Sequence, residues 1–162
     1  MLTQQRTPQG ERVPTDGFDT IFTQERLPMV RLAFLMLRSE ALAEEIVQDA
    51  FVTVLERWDR LDNPGAYLRR CVVNGCLNQM RRARRSAPPP VDCAEAELAT
   101  DHTLDAVRRL SPQRQALVVL RYYADMTQDE IADVLRIPAG TVKSGLHRAL
   151  GDLKEALHDG VV

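Results

Sequence analysis

Five side chains inside one short stretch, Thr141, Lys143, Ser144, His147 and Arg148, have the chemistry to read a DNA duplex. A guanidinium pairs with guanine edges, while hydroxyls and an ammonium suit phosphate oxygens. A second set lies upstream. Between Pro64 and Arg85 fall Arg69, Arg70, Arg81, Arg82, Arg84 and Arg85, with Asn74 and Asn78 among them and no acid at all. Cations at a helix end stabilise it through the macrodipole, but four clustered arginines exceed what one helix end needs, so phosphate contact is the better account. The third set is opposite in sign. Glu40 to Asp59 carries Glu40, Glu44, Glu45, Asp49, Glu56 and Asp59 against Arg57 alone, and Glu45, Gln48 and Asp49 form an outward patch one helical turn long. From the residues alone, simple solvation accounts for that patch.

These groups need helices to hold them. Gln128 to Ala149 reads QDEIADVLRIPAGTVKSGLHRA, two amphipathic segments around a tight connector, the pattern of a helix-turn-helix, with an ordinary helical hairpin bearing a solvated face as the plainer alternative. Ile131, Val134 and Leu135 supply a 3.6-period apolar stripe, small Ala132 allows close approach, and Arg136-Ile137-Pro138 forms the elbow. Val142, Leu146 and Leu150 are expected to continue the buried stripe at four-residue spacing. The arginine-bearing helix is expected from about Gly65 to Arg85, with Leu68, Cys71, Val72, Cys76, Leu77 and Met80 inward; the turn-rich DRLDNPGA precedes it. Ser39 and Glu40 make a good start for the acidic helix, whose apolar face is read as Leu42, Ile46, Ala50, Val54 and Trp58, widened by Val47, Phe51 and Leu55. A first helix carries Phe18, Ile21, Phe22, Leu32, Leu35 and Met36, and Pro28 should kink or restart it.

Composition narrows the function classes. The 162 residues carry 21 basic and 23 acidic side chains, a formal charge of −2, so the chain is no general DNA-coating protein; placement of charge matters more than its sum. No apolar run reaches the ~18 residues a membrane span needs, and no signal-peptide core is visible, which implies a cytoplasmic protein without membrane insertion. Cys71, Cys76 and Cys93 lack metal spacing; a zinc site completed by His102 is weighed against free thiols, and free thiols are the reading. Neither paired catalytic carboxylates, a nucleophile triad nor a phosphate-cradling glycine loop occurs, so no enzyme, cofactor or metal is expected. Ser86-Ala-Pro-Pro-Pro90 stops any helix, and Asp92, Glu95, Glu97, Asp101 and Asp105 follow with no base among them. The expected architecture is all-α: a flexible tail over 1–17, a helical domain over 18–85, a Pro-rich acidic linker over 86–103, and a four-helix, winged-helix-like helix-turn-helix domain over 104–158.

The order EEIVQDAFVTVLERW, YLRRCVVNGCLNQMRR, then LSPQRQALVVLRYYADMTQDEIADVLRIPAGTVKSGLHRAL resembles bacterial RNA polymerase sigma factors of the extracytoplasmic-function group in the sigma-70 family, over about residues 18 to 158. The resemblance implies partners and roles. Glu45, Gln48 and Asp49 would dock core RNA polymerase. Asp62 and Asn63, in the loop Asp59 to Pro64, would capture a flipped base of the −10 element, and Arg69, Arg70, Asn74, Asn78, Arg81 and Arg82 would engage the melting promoter. Thr141, Lys143, Ser144, His147 and Arg148 would read the −35 element, with Arg114 and Arg121 as backbone contacts. The acidic linker would thread the channel that later carries RNA, and an anti-sigma factor is a further partner the resemblance leaves open. The chain departs from the family pattern at Gly145, where a basic residue is usual, at Arg136, which occupies the usual turn glycine, at Tyr67 in place of tryptophan, and at Gly75 inside the melting helix. Two competing readings are a stand-alone helix-turn-helix regulator, which would have no use for Glu45, Gln48 and Asp49, and a decoy that binds polymerase but reads no DNA.

Overall fold

The computed structural model describes residues 16–86 and 102–159. The tail expected at 1–17 and the acidic linker expected at 86–103, with Cys93, lie almost wholly outside the described residues. No strand occurs among those described.

Helix α1 (Asp16–Leu37) runs through Pro28 as one element, so the expected restart does not occur. It buries Met29, Leu32, Ala33 and Met36 and ends at Arg38, whose left-handed φ of 55° turns the chain. Ser39 then caps α2 (Glu40–Glu56), its Oγ accepting from the Leu42 N–H at 3.2 Å, with Glu40 at the positive end of the dipole. The buried face of α2 is Ala43, Val47, Ala50, Phe51 and Val54. Leu55, expected in that face, is 43% exposed. A 3₁₀ turn (Trp58–Arg60) leads to α3 (Pro64–Ser86), where Pro64 takes the first-turn place that needs no N–H and Asn63 Oδ1 accepts from the Ala66 N–H at 3.1 Å. Leu68, Val72, Val73, Cys76 and Leu77 complete a three-helix core.

The second half comprises α4 (His102–Arg109), α5 (Pro112–Val118) running on through a π turn (Val119–Tyr123), α6 (Gln128–Leu135) and α7 (Ala139–Asp159). On α7 the buried stripe is Val142, Leu146, Ala149 and Leu153, while Leu150, expected inside, is 42% exposed. The reason is rotation. At 100° per residue a strict four-residue step drifts by about 40° each time, and only alternating three- and four-residue steps stay on one face.

The halves are packed together rather than held apart. Helix α3 touches both α5 and α6, and α1 touches the π turn. Gln115, only 2% exposed, reaches across with Nε2 donating to the Met36 carbonyl at 3.5 Å, and Arg84 Nη2 donates to the Leu110 carbonyl at 2.6 Å.

Candidate nucleic-acid interface

The helix-turn-helix is built from local bonds. Thr127 Oγ1 accepts from the Glu130 N–H at 3.2 Å while Glu130 Oε2 accepts from the Thr127 N–H at 2.7 Å, a reciprocal capping box that starts α6. The Thr127 backbone N–H, and after it the Thr127 side chain, hold the Glu130 carboxyl below its ordinary range, with the field of Arg69 adding a smaller push the same way. The T-x-x-E spelling was available in the sequence as a start signal. At the far end Arg136 adopts φ 54°, ψ 48°, the left-handed turn that glycine usually fills, and the Ile137 N–H closes on the Ala132 carbonyl at 3.1 Å. The Pro138 carbonyl then accepts from the N–H groups of Thr141 and Val142, setting the first turn of α7.

With Val142, Leu146 and Ala149 buried, Thr141, Lys143, Ser144, His147 and Arg148 are all exposed, on one side of α7 spanning about 160°. The Ser144 hydroxyl donates to the Thr141 carbonyl at 3.2 Å. Gly145 has a packing reason: a Cβ there would stand 2.5 Å from Leu117 Cδ1, because α5 presses on α7 at that point. Any side chain at 145 would require the Leu117 methyl to shift. A recess of about 240 Å³ sets Ser111, Gln113 and Arg114 beside Thr141, Ser144 and Arg148, and Arg114 is oriented by an ion pair with Asp152 of α7. Arg121 is half-buried and donates to the Met126 carbonyl at 2.8 Å, which closes the turn before α6 and ties down part of the guanidinium expected to touch DNA.

The expected promoter-opening residues divide. Asp62, Asn63, Asn78, Arg81 and Arg82 are exposed; Arg69, Arg70 and Asn74 are half-buried, and Arg69 and Arg70 line a cleft shared with Glu130 and Asp133 of α6. Tyr67 stands at the head of α3 with the guanidinium carbons of Arg70 and Arg57 at 5.0 and 5.9 Å from its ring centre. Behind it Cys71 is half-buried, and burial pushes its thiol up against the opposing pull of Tyr67, Arg70 and Arg57. Gly75 also has a packing reason, since a Cβ there would come within 2.9 Å of Ile46 Cγ2 where α2 crosses α3.

Glu45, Gln48 and Asp49 are exposed on α2, as expected, but they do not stand alone. Val52 is 54% and Leu55 43% exposed on the same side. At 100° per residue these five side chains fall within about 120° of the helix circumference, an acid-rimmed apolar patch. Hydrophobicity alone marks Leu55 for the core and says nothing of Val52, whereas a projection from Gln48, seven residues before Leu55, puts both on the outer face. Glu44, next to that patch, is instead bound to Arg26 of α1 at 2.9 Å. Among the described residues no His, Cys, Asp and Glu side chains gather as a metal site, and no helix is long and apolar enough to cross a membrane.

Two family models match in order along the chain, Sigma-70 region 2 over residues 21–86 and Sigma-70, region 4 over residues 103–153. The RNA polymerase sigma-E factor of Streptomyces avermitilis is 33% identical over 141 residues, covering 80% of this chain and 78% of that protein. The ECF RNA polymerase sigma factor SigM of Mycobacterium tuberculosis is 31% identical over 157 residues, covering 87% of this chain and 77% of its own. In fold, the chain is similar to the sigma factor RpoE of Bartonella quintana, solved in complex with the anti-sigma factor NepR: TM-score 0.69, 22% identity, 88% of this chain and 97% of that one.

Proposed function

The chain belongs to the sigma-70 family of RNA polymerase sigma factors, in its extracytoplasmic-function group, and from that premise we propose which of its surfaces grip the polymerase and which read the promoter. As a sigma factor it binds core RNA polymerase, directs it to promoters with −10 and −35 elements and promotes their opening. The family acts without catalytic chemistry of its own, and this chain is read the same way, working in the cytoplasm where the polymerase is. Residues 18–85 are assigned to the polymerase and the −10 element, and residues 104–158 to the −35 element.

The observation that carries the assignment is the outer face of α2. Val52 and Leu55 expose apolar surface amid Glu45, Gln48 and Asp49, on a helix whose opposite face is already satisfied by the core. Exposed apolar groups rimmed by charge suit a protein partner, and acids there repel DNA. A stand-alone regulator would have no need of this patch. On the DNA side, exposed Arg81 and Arg82 supply phosphate contacts, Asp62 and Asn63 edge the base-capturing loop, and Arg69, Arg70, Asn74 and Asn78 track the opened strand. Thr141, Lys143, Ser144, His147 and Arg148 enter the −35 major groove, where Arg148 is the guanine reader and Lys143 a phosphate contact. An anti-sigma factor is a further partner consistent with the group, as in the RpoE–NepR complex.

Run-off transcription with purified core polymerase on a library of genomic promoters tests the whole reading: specific starts are expected, and their absence would remove it. The double variant Gln48→Lys/Asp49→Lys tests the docking face. Loss of polymerase binding with an unchanged helical spectrum is expected, and retained affinity would remove that assignment alone.

A further inference from the structure

The two ends of α3 face different parts of the second half. Its head, with Arg69 and Arg70, looks across a cleft at α6, whereas Arg81, Arg84 and Arg85 of its last turns stand beside the start of α5. At 1.5 Å per residue the two groups lie about 20 Å apart along the helix axis. A recess of about 420 Å³ sets Arg81, Arg84 and Arg85 against Ser111, Pro112 and Gln113. The smaller recess between α5 and α7 shares Ser111 and Gln113 with it and carries on to Arg114, Thr141, Ser144 and Arg148. Through that common wall the end of α3 is joined to the reading face of α7. The charged lining of the joined trough is Arg81, Arg84, Arg85, Arg114 and Arg148, with no acid among them.

Two features mark this trough as a site for a polyanion. Arg81 and Arg85 are exposed and, among the described residues, enter no ion pair, so their charges stand close together without a carboxylate between them. Guanidinium groups gathered in this way repel one another, and a chain of phosphates relieves that repulsion while offering each a matched pair of oxygens. The second feature is placement. A helix seated in a major groove has the phosphates of the groove edge within reach of whatever flanks it, and α7 is flanked by this trough. The bond from Arg84 to the Leu110 carbonyl, next to Ser111, pins the end of α3 at that flank.

We propose that the packed chain, on its own, holds duplex DNA as a single unit: α7 enters the major groove while Arg81, Arg84 and Arg85 of α3 grip phosphates of the same duplex. This rests on the assignment of α7 to duplex reading, and it gives the arginine cluster a second ligand besides the opened −10 strand. Contacts to phosphate carry no sequence information, so the mode serves any duplex and strengthens as salt falls.

The test uses the full chain without polymerase and a fluorescein-labelled, random-sequence duplex of about two helical turns, ~21 base pairs. Arg81→Gln/Arg85→Gln removes two of the charges and leaves Arg84 its bond to Leu110. Duplex affinity should fall roughly tenfold at about 50 mM salt, and the slope of log affinity against log salt should shrink by about two. A control, Arg31→Gln/Arg38→Gln, makes the same change of net charge on exposed positions of α1 that line neither recess, and should stay near the wild type. A single strand of the same length should bind more weakly, since it offers α7 no groove. Absence of duplex binding by the wild type, an unchanged affinity in the first variant, an equal loss in the control, or a single strand bound as tightly as the duplex would each overturn the proposal. Run-off transcription by the wild-type chain is measured alongside. If the chain directs initiation while the first variant binds duplex like the wild type, this proposal alone falls; if it directs none, the functional assignment itself has failed.

Discussion

Arg136→Gly should make the protein more stable, although it removes a large side chain. Arg136 holds φ 54° and ψ 48° at the elbow between α6 and α7, and a residue with a Cβ pays about 1–2 kcal/mol for the left-handed region. Its side chain is exposed and forms none of the ion pairs seen in the structure, so little packing is lost. Against the relief stands the larger entropy of glycine in the unfolded chain, about 0.5–1 kcal/mol. The net is a gain of roughly 0.5–1 kcal/mol, or ~1–4 °C in Tm for a chain of this size. Urea unfolding followed by circular dichroism reads it as a higher midpoint with an unchanged slope. Arg136→Ala is the necessary partner, because it deletes the same side chain without freeing φ and should stay within about 0.5 kcal/mol of wild type. A midpoint for the glycine variant at or below that of the alanine variant would refute the argument from backbone strain.

Other expectations follow from the same contacts. Arg148→Ala should cost about 1–3 kcal/mol of discrimination between a cognate −35 duplex and a scrambled one, measured by competition binding of the holoenzyme; equal loss on both would make Arg148 a phosphate contact. Gly145→Ala gains about 1 kcal/mol of helix propensity but drives a methyl against Leu117, which is 1% exposed, at an overpacking cost of about 1–3 kcal/mol, so a lower thermal midpoint is expected and a higher one would show that Leu117 yields freely. Cys76 is buried and its thiol is pushed up to about 12, so the folded chain keeps a proton that the unfolded chain releases. Stability should therefore be indifferent to this group below the ordinary thiol range and fall as pH rises from there toward 12. Cys76→Ala should flatten that alkaline slope in pH-stepped urea titrations; an identical slope would place the loss on other groups.

Much of the molecule is legible in its residues because helices are local objects. The 3.6-residue period, Ser39 as cap, Pro64 at a helix start and the Arg136-Ile137-Pro138 break all act over a few residues, and each lies where the spacing places it. The charge segregation between α2 and α3 is likewise a property of the chain, and so is the order of its family motifs. Errors fall at the margins of faces. Leu55 and Leu150 are leucines on helices, and hydrophobicity alone marks them for the interior; whether a marginal position is covered depends on how the neighbouring helix is rotated.

Tertiary structure decides what pairwise closeness decides. Gly75 and Gly145 look like weaknesses in two DNA-facing helices until Ile46 and Leu117 are found against them. Gln115 reads as an ordinary polar residue of a short helix, yet it is buried with its amide turned to Met36, 79 positions away in sequence. The sequence by itself determined the helices, the family and the two signs of charge, since these depend on neighbours along the chain. Only the packed structure decided that α6 covers the head of α3 while α7 stays open, because that contact joins residues too far apart in sequence for any local pattern to encode.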